Sequence, residues 1–136
     1  MNRSDSVLYE VFCANGNLEE SGIKLNDRKI GVWSYYSENG IKEKEIEYQG
    51  NYYNGIYREF YSNGKLKEEG NYIVIVKERE VNLIDPETFE ETKSVRKMET
   101  SVKEGKWIYK DEHGKIVKEE YFKEGKLKKK TSDNKG

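Results

Sequence analysis

The sequence predicts an all-β protein, built as an elongated, single-layer antiparallel meander of stacked β-hairpins with a period of about 24 residues. Asn-Gly pairs recur at that spacing, at positions 15–16, 39–40 and 63–64. An aromatic residue keeps the same spacing ahead of each pair, at Tyr9, Trp33 and Tyr57. Charged residues make up 38% of the chain while aromatic residues still reach 12%, which favours a thin, solvated sheet over a disordered chain.

Each Asn-Gly pair predicts a β-hairpin, because it lies between two runs of strand-forming residues. A type I′ turn needs a positive φ at both central residues, which Asn and Gly tolerate. A two-residue turn of this kind predicts the following cross-strand pairs: Tyr61 with Leu66, Phe60 with Lys67, Tyr36 with Glu43, and Trp33 with Ile46. A second turn closes the other end of each unit, so each unit contributes two strands.

The same pattern predicts five repeat units within one domain. His113-Gly114 takes the place of an Asn-Gly pair, and Trp107 lies ahead of it as Trp33 lies ahead of Asn39-Gly40. The distance of 50 residues from Gly64 to Gly114 leaves room for one degenerate unit between them. The predicted segments are 7–30, 31–54, 55–78, 79–104 (the degenerate unit) and 105–126, followed by a basic tail at 127–136.

The degenerate region has a second interpretation, in which residues 73–104 form an inserted hairpin that is not a repeat. In either case the stretch IDPET at 84–88 predicts a turn, because Asp favours the start of a turn and Pro its second position. The run YIVIVKEREVNLI has the strongest strand propensity in the chain. It predicts an edge for strand addition by a partner, or for an edge-strand dimer through 73–84.

The repeat places one large apolar side chain per unit on the same face of the sheet. This column consists of Tyr9, Trp33, Tyr57, Val81 and Trp107. One hairpin alone buries too little apolar surface to be stable, so adjacent hairpins are expected to pack through this column. The column can also be interpreted as an aromatic binding stripe, and a single-layer sheet allows both roles.

The residues capable of chemistry do not form a catalytic, cofactor-binding or metal-binding set, so we predict no enzyme activity and no cofactor. The single histidine, His113, takes a turn position that favours residues tolerant of positive φ. The single cysteine, Cys13, is predicted to be a small buried apolar residue on the face of the aromatic column. Glu alternates with Lys, as at 42–45, which predicts cross-strand ion pairs on a solvated face.

The charge balance argues against a nucleic-acid ligand, since 25 basic and 26 acidic residues give a net charge of −1. The N-terminus shows no basic region followed by an apolar stretch, and the longest aliphatic run, at 73–76, is too short to span a bilayer. We therefore expect a cytoplasmic protein. The basic stretch KEGKLKKK at 123–130 can be a solvated tail or a patch that attracts an acidic partner or an anionic membrane.

Three segments share a frame of Gly-x-aromatic, a turn glycine and a charged strand that ends in an aromatic residue. They read GVWSYYSENGIKEKEIEY, GIYREFYSNGKLKEEGNY and GKWIYKDEHGKIVKEEYF. This frame resembles the MORN-repeat variant of many small bacterial proteins, some of which are called antitoxins or immunity proteins. The resemblance extends over 7–126, with 73–104 departing from the pattern. It implies stacked antiparallel hairpins, and ordinary MORN repeats are associated with membrane lipid or protein scaffolding.

The expected function is protein binding without catalysis, most concretely by an antitoxin or immunity protein that occludes a cognate toxin. The predicted contact residues lie on the aromatic face; they are Tyr35, Tyr57, Tyr61 and Tyr109. The alternative is a scaffold on anionic membrane lipid. Its predicted contact residues are Lys126, Lys128, Lys129 and Lys130.

Overall fold

The computed structural model describes residues 5–132, which form one open antiparallel sheet. Nine strands pair in sequence order, from β1 at one edge to β9 at the other. The strands are β1 Ser6–Phe12, β2 Leu18–Leu25, β3 Arg28–Tyr36, β4 Lys42–Gln49, β5 Tyr52–Phe60, β6 Leu66–Ile84, β7 Glu91–Lys110, β8 Ile116–Lys123 and β9 Lys126–Ser132. The predicted fold class, an all-β meander of stacked hairpins, is confirmed.

No helix in the described part of the chain has the length and apolar character needed to cross a membrane.

The Asn-Gly turns differ from the predicted type. In the β5–β6 turn, Tyr61 N donates to Lys65 O at 2.8 Å and Gly64 N donates to Tyr61 O at 2.9 Å. Gly64 has a φ of 85°, whereas Asn63 is not among the residues with positive φ. This is a type I turn closed by a glycine in the left-handed region, which forms a G1 bulge. The type I′ prediction for these turns is therefore wrong.

The bulge changes the pairs next to the turn and leaves the more distant pairs as predicted. Phe60 lies opposite Leu66 and Tyr36 opposite Lys42, so the predicted Tyr61–Leu66, Phe60–Lys67 and Tyr36–Glu43 pairs are wrong. The predicted Trp33–Ile46 pair is confirmed. His113 occupies the Asn position of the β7–β8 turn and is likewise not among the residues with positive φ; Gly114 adopts it instead.

Two-residue turns with positive φ at both positions do occur, at the other end of the hairpins. They are Asn26-Asp27, Gly50-Asn51 and Glu124-Gly125. In the first of them Leu25 pairs directly with Arg28, as a type I′ turn requires. The two ends of the sheet therefore use different turns, with bulged turns at one end and tight type I′ turns at the other.

Strands β6 and β7 are much longer than the others, with 19 and 20 residues. Their pairing continues beyond the sheet from Ile73–Val102 to Ile84–Glu91. The turn at 85–90 closes this extension, in agreement with the predicted IDPET turn; Asp85 N donates to Glu90 O at 3.0 Å. Residues 79–104 thus form no separate repeat, and the inserted hairpin is the correct interpretation. We call residues 73–102 the ribbon.

The predicted basic tail also differs from the structure. Residues 126–132 form β9, which pairs with β8 from Lys123–Lys126 to Lys118–Ser132. The remaining part of the predicted tail, 133–136, lies outside the described residues.

The core lies on one face of the sheet, which we call the aromatic face. Trp33 and Trp107 are fully buried, and Ile46 and Tyr57 are 3% and 8% exposed. The Tyr57 and Trp107 rings lie 5.6 Å apart, because the ribbon carries Val81 away from the sheet. The column in the structure therefore omits Val81, and its predicted membership is wrong.

The opposite face is polar and solvated. On it, Arg58 pairs with Glu69 at 2.6 Å and with Glu45 at 3.4 Å, so three adjacent strands share one ion-pair ladder. Lys106 and Glu119 form a similar pair at 3.1 Å. The ion pairs predicted from alternating Glu and Lys are present here, although exposed pairs of this kind contribute only about 0–1 kcal/mol each.

Candidate protein-binding surfaces

Each buried tryptophan lies flat on a glycine of the preceding strand. A Cβ atom at Gly22 would overlap the Trp33 ring, and one at Gly70 would overlap the Trp107 ring. The indole Nε1 of Trp107 donates to Asn71 O at 3.2 Å, so its polar atom is satisfied within the core. We call each of these sites, where an indole ring packs against a glycine, a glycine cradle. The two cradles are equivalent and lie on either side of the central strands.

A lysine ammonium covers each tryptophan cradle. Lys29 Nζ lies 4.6 Å from the Trp33 ring centre and 5.1 Å from that of Tyr48, and it donates to Tyr35 Oη at 2.9 Å. Cation–π contacts of this kind contribute about 0.5–2 kcal/mol. The ammonium therefore closes the aromatic cluster at the solvent boundary.

The second cluster repeats this arrangement around Lys103. Lys103 Nζ lies 4.4 Å from the Trp107 ring centre and 5.2 Å from that of Phe122, and it donates to Tyr109 Oη at 3.3 Å. Both aromatic clusters are thus already filled by a cation of the same chain, so they are not open cages for an external cation.

The unit between the two clusters uses tyrosine in place of lysine. Tyr53 occupies the position equivalent to Lys29, and its ring contacts Tyr48, Tyr57 and Tyr72 at centroid distances of 5.4, 6.0 and 5.2 Å. Tilted and edge-on pairs at these distances are favourable for aromatic rings. The aromatic face is therefore a continuous packed layer from Tyr9 to Trp107.

The four predicted contact tyrosines are all used within this layer or next to it. Tyr57 is 8% exposed, and its hydroxyl donates to Glu59 at 2.5 Å. Tyr35 and Tyr109 are half-buried beside Lys29 and Lys103. Tyr61 is half-buried, and its hydroxyl donates to the Lys110 carbonyl at 2.6 Å, which ties two turns together. Their binding role stays a prediction, with Tyr57 the least accessible of the four.

Burial raises the pKa of several phenols on this face above their ordinary value. It does so for Tyr35 and for Tyr57, where the hydrogen bond to the Glu59 carboxylate raises the pKa further. The pKa of the Glu68 carboxyl is also raised, first by burial and then by the charge of Glu59 opposite it. In each of these groups, the neutral form is therefore stabilised relative to the charged form, compared with the same group in water.

The ribbon has only two strands, and several of its large apolar side chains are exposed to solvent. Its exposed apolar residues are Val76, Leu83, Ile84, Phe89, Val95 and Met98. Phe89 is 78% exposed and has a φ of 61°, in the left-handed region that bulky residues rarely adopt. Exposed apolar clusters and strained backbone are both more frequent at interaction sites than elsewhere.

The base of the ribbon is fixed to the sheet on both sides. Ser101 Oγ donates to Tyr53 O at 2.8 Å, and Gly125 N donates to Lys103 O at 2.9 Å. Beside the second contact lies an open groove of about 540 Å³, lined by Ile75, Lys77, Val102 and the β8–β9 turn. The ribbon therefore leaves the sheet in a defined direction, and its outer part has no strand beside it among residues 5–132.

The ribbon tip combines apolar and acidic side chains. The turn and the residue after it carry four carboxylates and no basic residue; they are Asp85, Glu87, Glu90 and Glu91. Asp85 Oδ1 accepts the backbone N–H of Glu87 at 2.8 Å, which orders the turn. The tip thus presents Phe89 within a negatively charged surround.

The predicted lipid-binding lysines lie on the edge strand β9 and are all exposed. Directly opposed residues in an antiparallel pair share a face, so Lys130 opposite Glu120 and Lys129 opposite Tyr121 point to different faces. The strand therefore divides these charges between both sides of the sheet, and they do not form one flat basic patch.

Cys13 and His113 both lie in bulged turns. Cys13 is half-buried and not fully buried as predicted, because it lies in the β1–β2 turn. Partial burial and the charges of Glu19 and Glu38 raise the pKa of its thiol, which lowers its reactivity. No cluster of three or more His, Cys, Asp or Glu side chains suited to a metal ion occurs within residues 5–132.

Sequence reasoning missed the cradle glycines and the covering lysines. Gly22 and Gly70 lie two periods apart at positions without a turn signal, and this spacing was the available clue. The sequence also did not identify the exposed apolar side chains of the ribbon as a group. The alternation of residues in a strand shows which side chains share a face, but it does not show whether that face is covered.

Comparison with known proteins supports the repeat assignment. The model of the MORN repeat variant matches residues 29–49, 53–73 and 103–124. The gap between the second and third matches coincides with the ribbon, so the ribbon is an insertion into the repeat series. Curated proteins and solved structures show no significant match.

The turn glycines, the aromatic layer and the meander of hairpins are all features of the same repeat. The three matched segments begin on β3, β5 and the inner part of β7, and each covers one strand, one bulged turn and the next strand. The chain therefore carries three repeats that match the MORN repeat variant.

Proposed function

We propose that this chain is a non-catalytic protein-binding module and that the ribbon is its principal contact surface. The observation that carries the proposal is the group of exposed apolar side chains along a ribbon that nothing in residues 5–132 covers. An isolated two-stranded hairpin is only marginally stable in water, so a bound partner that covers it would add stability.

The ribbon offers two modes of contact that support this proposal. Its outer edges, 73–84 on one side and 91–100 on the other, have no neighbouring strand in the described part of the chain, so a partner strand can add to either. Its tip presents Phe89 among carboxylates, which suits a partner with an apolar pocket and a basic rim. Aromatic anchors in such pockets often dominate binding energy.

The finer proposal is that the partner is a toxin and that this chain is its antitoxin or immunity protein. A rigid sheet that holds a projecting ribbon suits inhibition by occlusion, because the ribbon can enter a cleft while the sheet blocks its entrance. The resemblance of the repeats to those of antitoxin and immunity proteins motivates this proposal, and the partner's identity is the outcome of the experiment below.

The test is capture of a partner from the source cell by the tagged chain in moderate salt, identified by mass spectrometry. In the key variant, residues 78–97 are replaced by Asn-Gly. Lys77 and Met98 are directly opposite each other, so a two-residue turn can join them without disturbing the sheet. We expect the shortened chain to fold and to lose the dominant partner.

Point variants refine the result. Phe89→Ser should weaken capture by roughly tenfold or more if Phe89 is an anchor, whereas Val32→Ser, at another exposed apolar residue, serves as the matched control. Retention of the same partner by the shortened chain would contradict the ribbon proposal. Loss of that partner in Tyr35→Ala or Tyr61→Ala would then assign binding to the aromatic face.

The alternative function is association with anionic membrane lipid through Lys126, Lys128, Lys129 and Lys130, all of which are exposed. Co-sedimentation with anionic vesicles tests it. Binding that falls on changing these lysines to Gln, and that weakens with salt, would support the alternative. The division of the lysines between two faces leads us to expect weak binding or none.

A further inference from the structure

The two outer strands of the sheet differ in how their free edges are protected. β9 carries Lys at four of its seven positions, and lysine on an edge strand discourages strand addition. β1 carries neither Lys nor Arg. Its large apolar side chains are exposed, at 56% for Val7, 60% for Leu8 and 58% for Phe12.

β1 has the features of an edge open to pairing. It pairs with β2 on one side and has no strand on the other among residues 5–132. Tyr9 ends the aromatic layer at this edge; its ring lies 5.8 Å from that of Trp33, yet the side chain remains 37% exposed. A further strand beside β1 would extend the aromatic layer and cover Tyr9.

Symmetry limits how two copies can pair through β1. A two-fold axis perpendicular to the sheet places the two strands antiparallel with their aromatic faces on the same side. The axis lies between the strands, midway between one residue of β1 and the same residue of the copy, and we describe that residue as on the axis. With Glu10 on the axis, two carboxylates oppose each other, which is unfavourable. With Tyr9 on the axis, the apolar side chain of Leu8 lies opposite the carboxylate of Glu10, so this register is also less favourable.

With Leu8 on the axis, all the pairs are compatible. Leu8 opposes its own copy, Val7 opposes Tyr9 twice, and Ser6 opposes Glu10 twice. Aliphatic–aromatic pairs across strands are stabilising, and Ser can donate a hydrogen bond to a carboxylate. No charged residue of β1 lies opposite a like charge in this register. The strand sequence is therefore self-complementary.

We propose that two copies of this chain associate through β1 in an antiparallel two-fold pairing with Leu8 on the axis. The nine strands of each copy then form one continuous sheet. The lysine-rich β9 strands lie at both outer edges, so the assembly closes as a dimer and does not grow. Pairing of β1 with β9 of another copy is disfavoured, because the two strands run in the same direction when the aromatic faces match.

Sedimentation equilibrium of the whole chain over a range of concentrations tests the association. We expect a monomer–dimer equilibrium that Leu8→Lys weakens roughly tenfold or more, since it places two ammonium groups opposite each other. Leu127→Lys, at an exposed apolar residue of β9, is the matched control and should leave the equilibrium unchanged. A chain that stays monomeric at every concentration would overturn the proposal.

Cysteine cross-linking tests the register and does not depend on stability. In a Cys13→Ser background, Leu8→Cys should form a disulfide between copies under mild oxidation, whereas Glu10→Cys should form much less. Equal cross-linking at both positions would overturn the register. A dimer that persists in Leu8→Lys and disappears when residues 78–97 are replaced by Asn-Gly would assign the association to the ribbon instead.

Discussion

The repeat sheet and the ribbon are both antiparallel β-structure, but they are stabilised in different ways. In the sheet, Trp33 and Trp107 are fully buried on glycine cradles, and each strand has two neighbours except at the edges. In the outer ribbon, two strands have only each other, and Phe89 is 78% exposed. The difference shows that a single-layer sheet can build a core on one face, provided that several strands share the aromatic layer.

The largest loss of stability in the sheet is expected when a side chain is placed in a glycine cradle. Gly70→Ala should destabilise the fold by roughly 3–5 kcal/mol, because the new methyl group overlaps the Trp107 ring and forces it out of the core. Denaturant unfolding followed by tryptophan fluorescence measures this loss. Asn71→Ala, on the next residue of the same strand, is the control, since it keeps the carbonyl that accepts the indole N–H.

High pH should destabilise the sheet through its phenols. Burial raises the folded-state pKa of Tyr35, Tyr48, Tyr57, Tyr72 and Tyr109 above the ordinary value of 10.0. The unfolded chain therefore releases these protons at lower pH than the folded chain, so stability is full below about pH 10 and falls as pH rises above it. Spectroscopic titration of phenolate together with circular dichroism measures this effect.

The ribbon contains no tyrosine, so the phenolate signal in this titration reports on the sheet and not on the ribbon. We expect phenolate to appear together with loss of the sheet signal. Ionisation of the buried phenols near pH 10, with the sheet intact, would show that the aromatic layer is not closed to water.

A smaller effect is expected from the lysines that cover the tryptophans. Lys103→Met should cost about 0.5–2 kcal/mol, because it removes the ammonium from above Trp107 and Phe122 while keeping the length of the side chain. Thermal or denaturant unfolding measures the change. Lys97→Met, in the ribbon, is the matched control. Its side chain is 72% exposed and its ion pair with Glu78 is long, at 4.0 Å, so we expect almost no change.

The smallest expected effect lies at the ribbon tip. Phe89→Gly should stabilise the tip by at most about 1 kcal/mol, because glycine adopts the left-handed conformation of this residue without strain. Amide hydrogen exchange should show slower opening near 84–91 and unchanged protection in β3–β5. Faster exchange at the tip would mean that the Phe89 ring contributes more to order than its backbone strain removes.

The general architecture was predictable because the repeat spacing and the alternation of side chains both follow from the period of a β-strand. The Trp33–Ile46 pair, for example, follows from the register of a two-residue turn, and it is present because the register shift is confined to Tyr35 and Tyr36. The turn type was not predictable, because Asn-Gly suits a type I′ turn and a bulged type I turn equally, and only the hydrogen bonds of Tyr61 distinguish them.

The site was less predictable than the fold. Tyr57 was expected as a contact residue because tyrosine is common at interfaces, but its position between Tyr53 and Trp107 makes it a core residue. Whether an aromatic side chain is buried or exposed depends on how the sheet curves, and strand periodicity does not determine curvature. The sequence left two interpretations of residues 73–104 open for a related reason, since the length of this segment equals roughly one repeat and so fits a degenerate unit as well as an inserted hairpin.

The position at which the ribbon is inserted allows its length to vary independently of the sheet. The ribbon replaces a tight turn between Tyr72 and Lys103, so it lengthens one hairpin without changing any pair nearer the core. Twelve residues on each strand, at about 3.3 Å per residue, give the ribbon a length of about 40 Å along its strands. Such a hairpin can be lengthened or shortened by paired residues as an independent arm, while the aromatic layer that supports it stays the same.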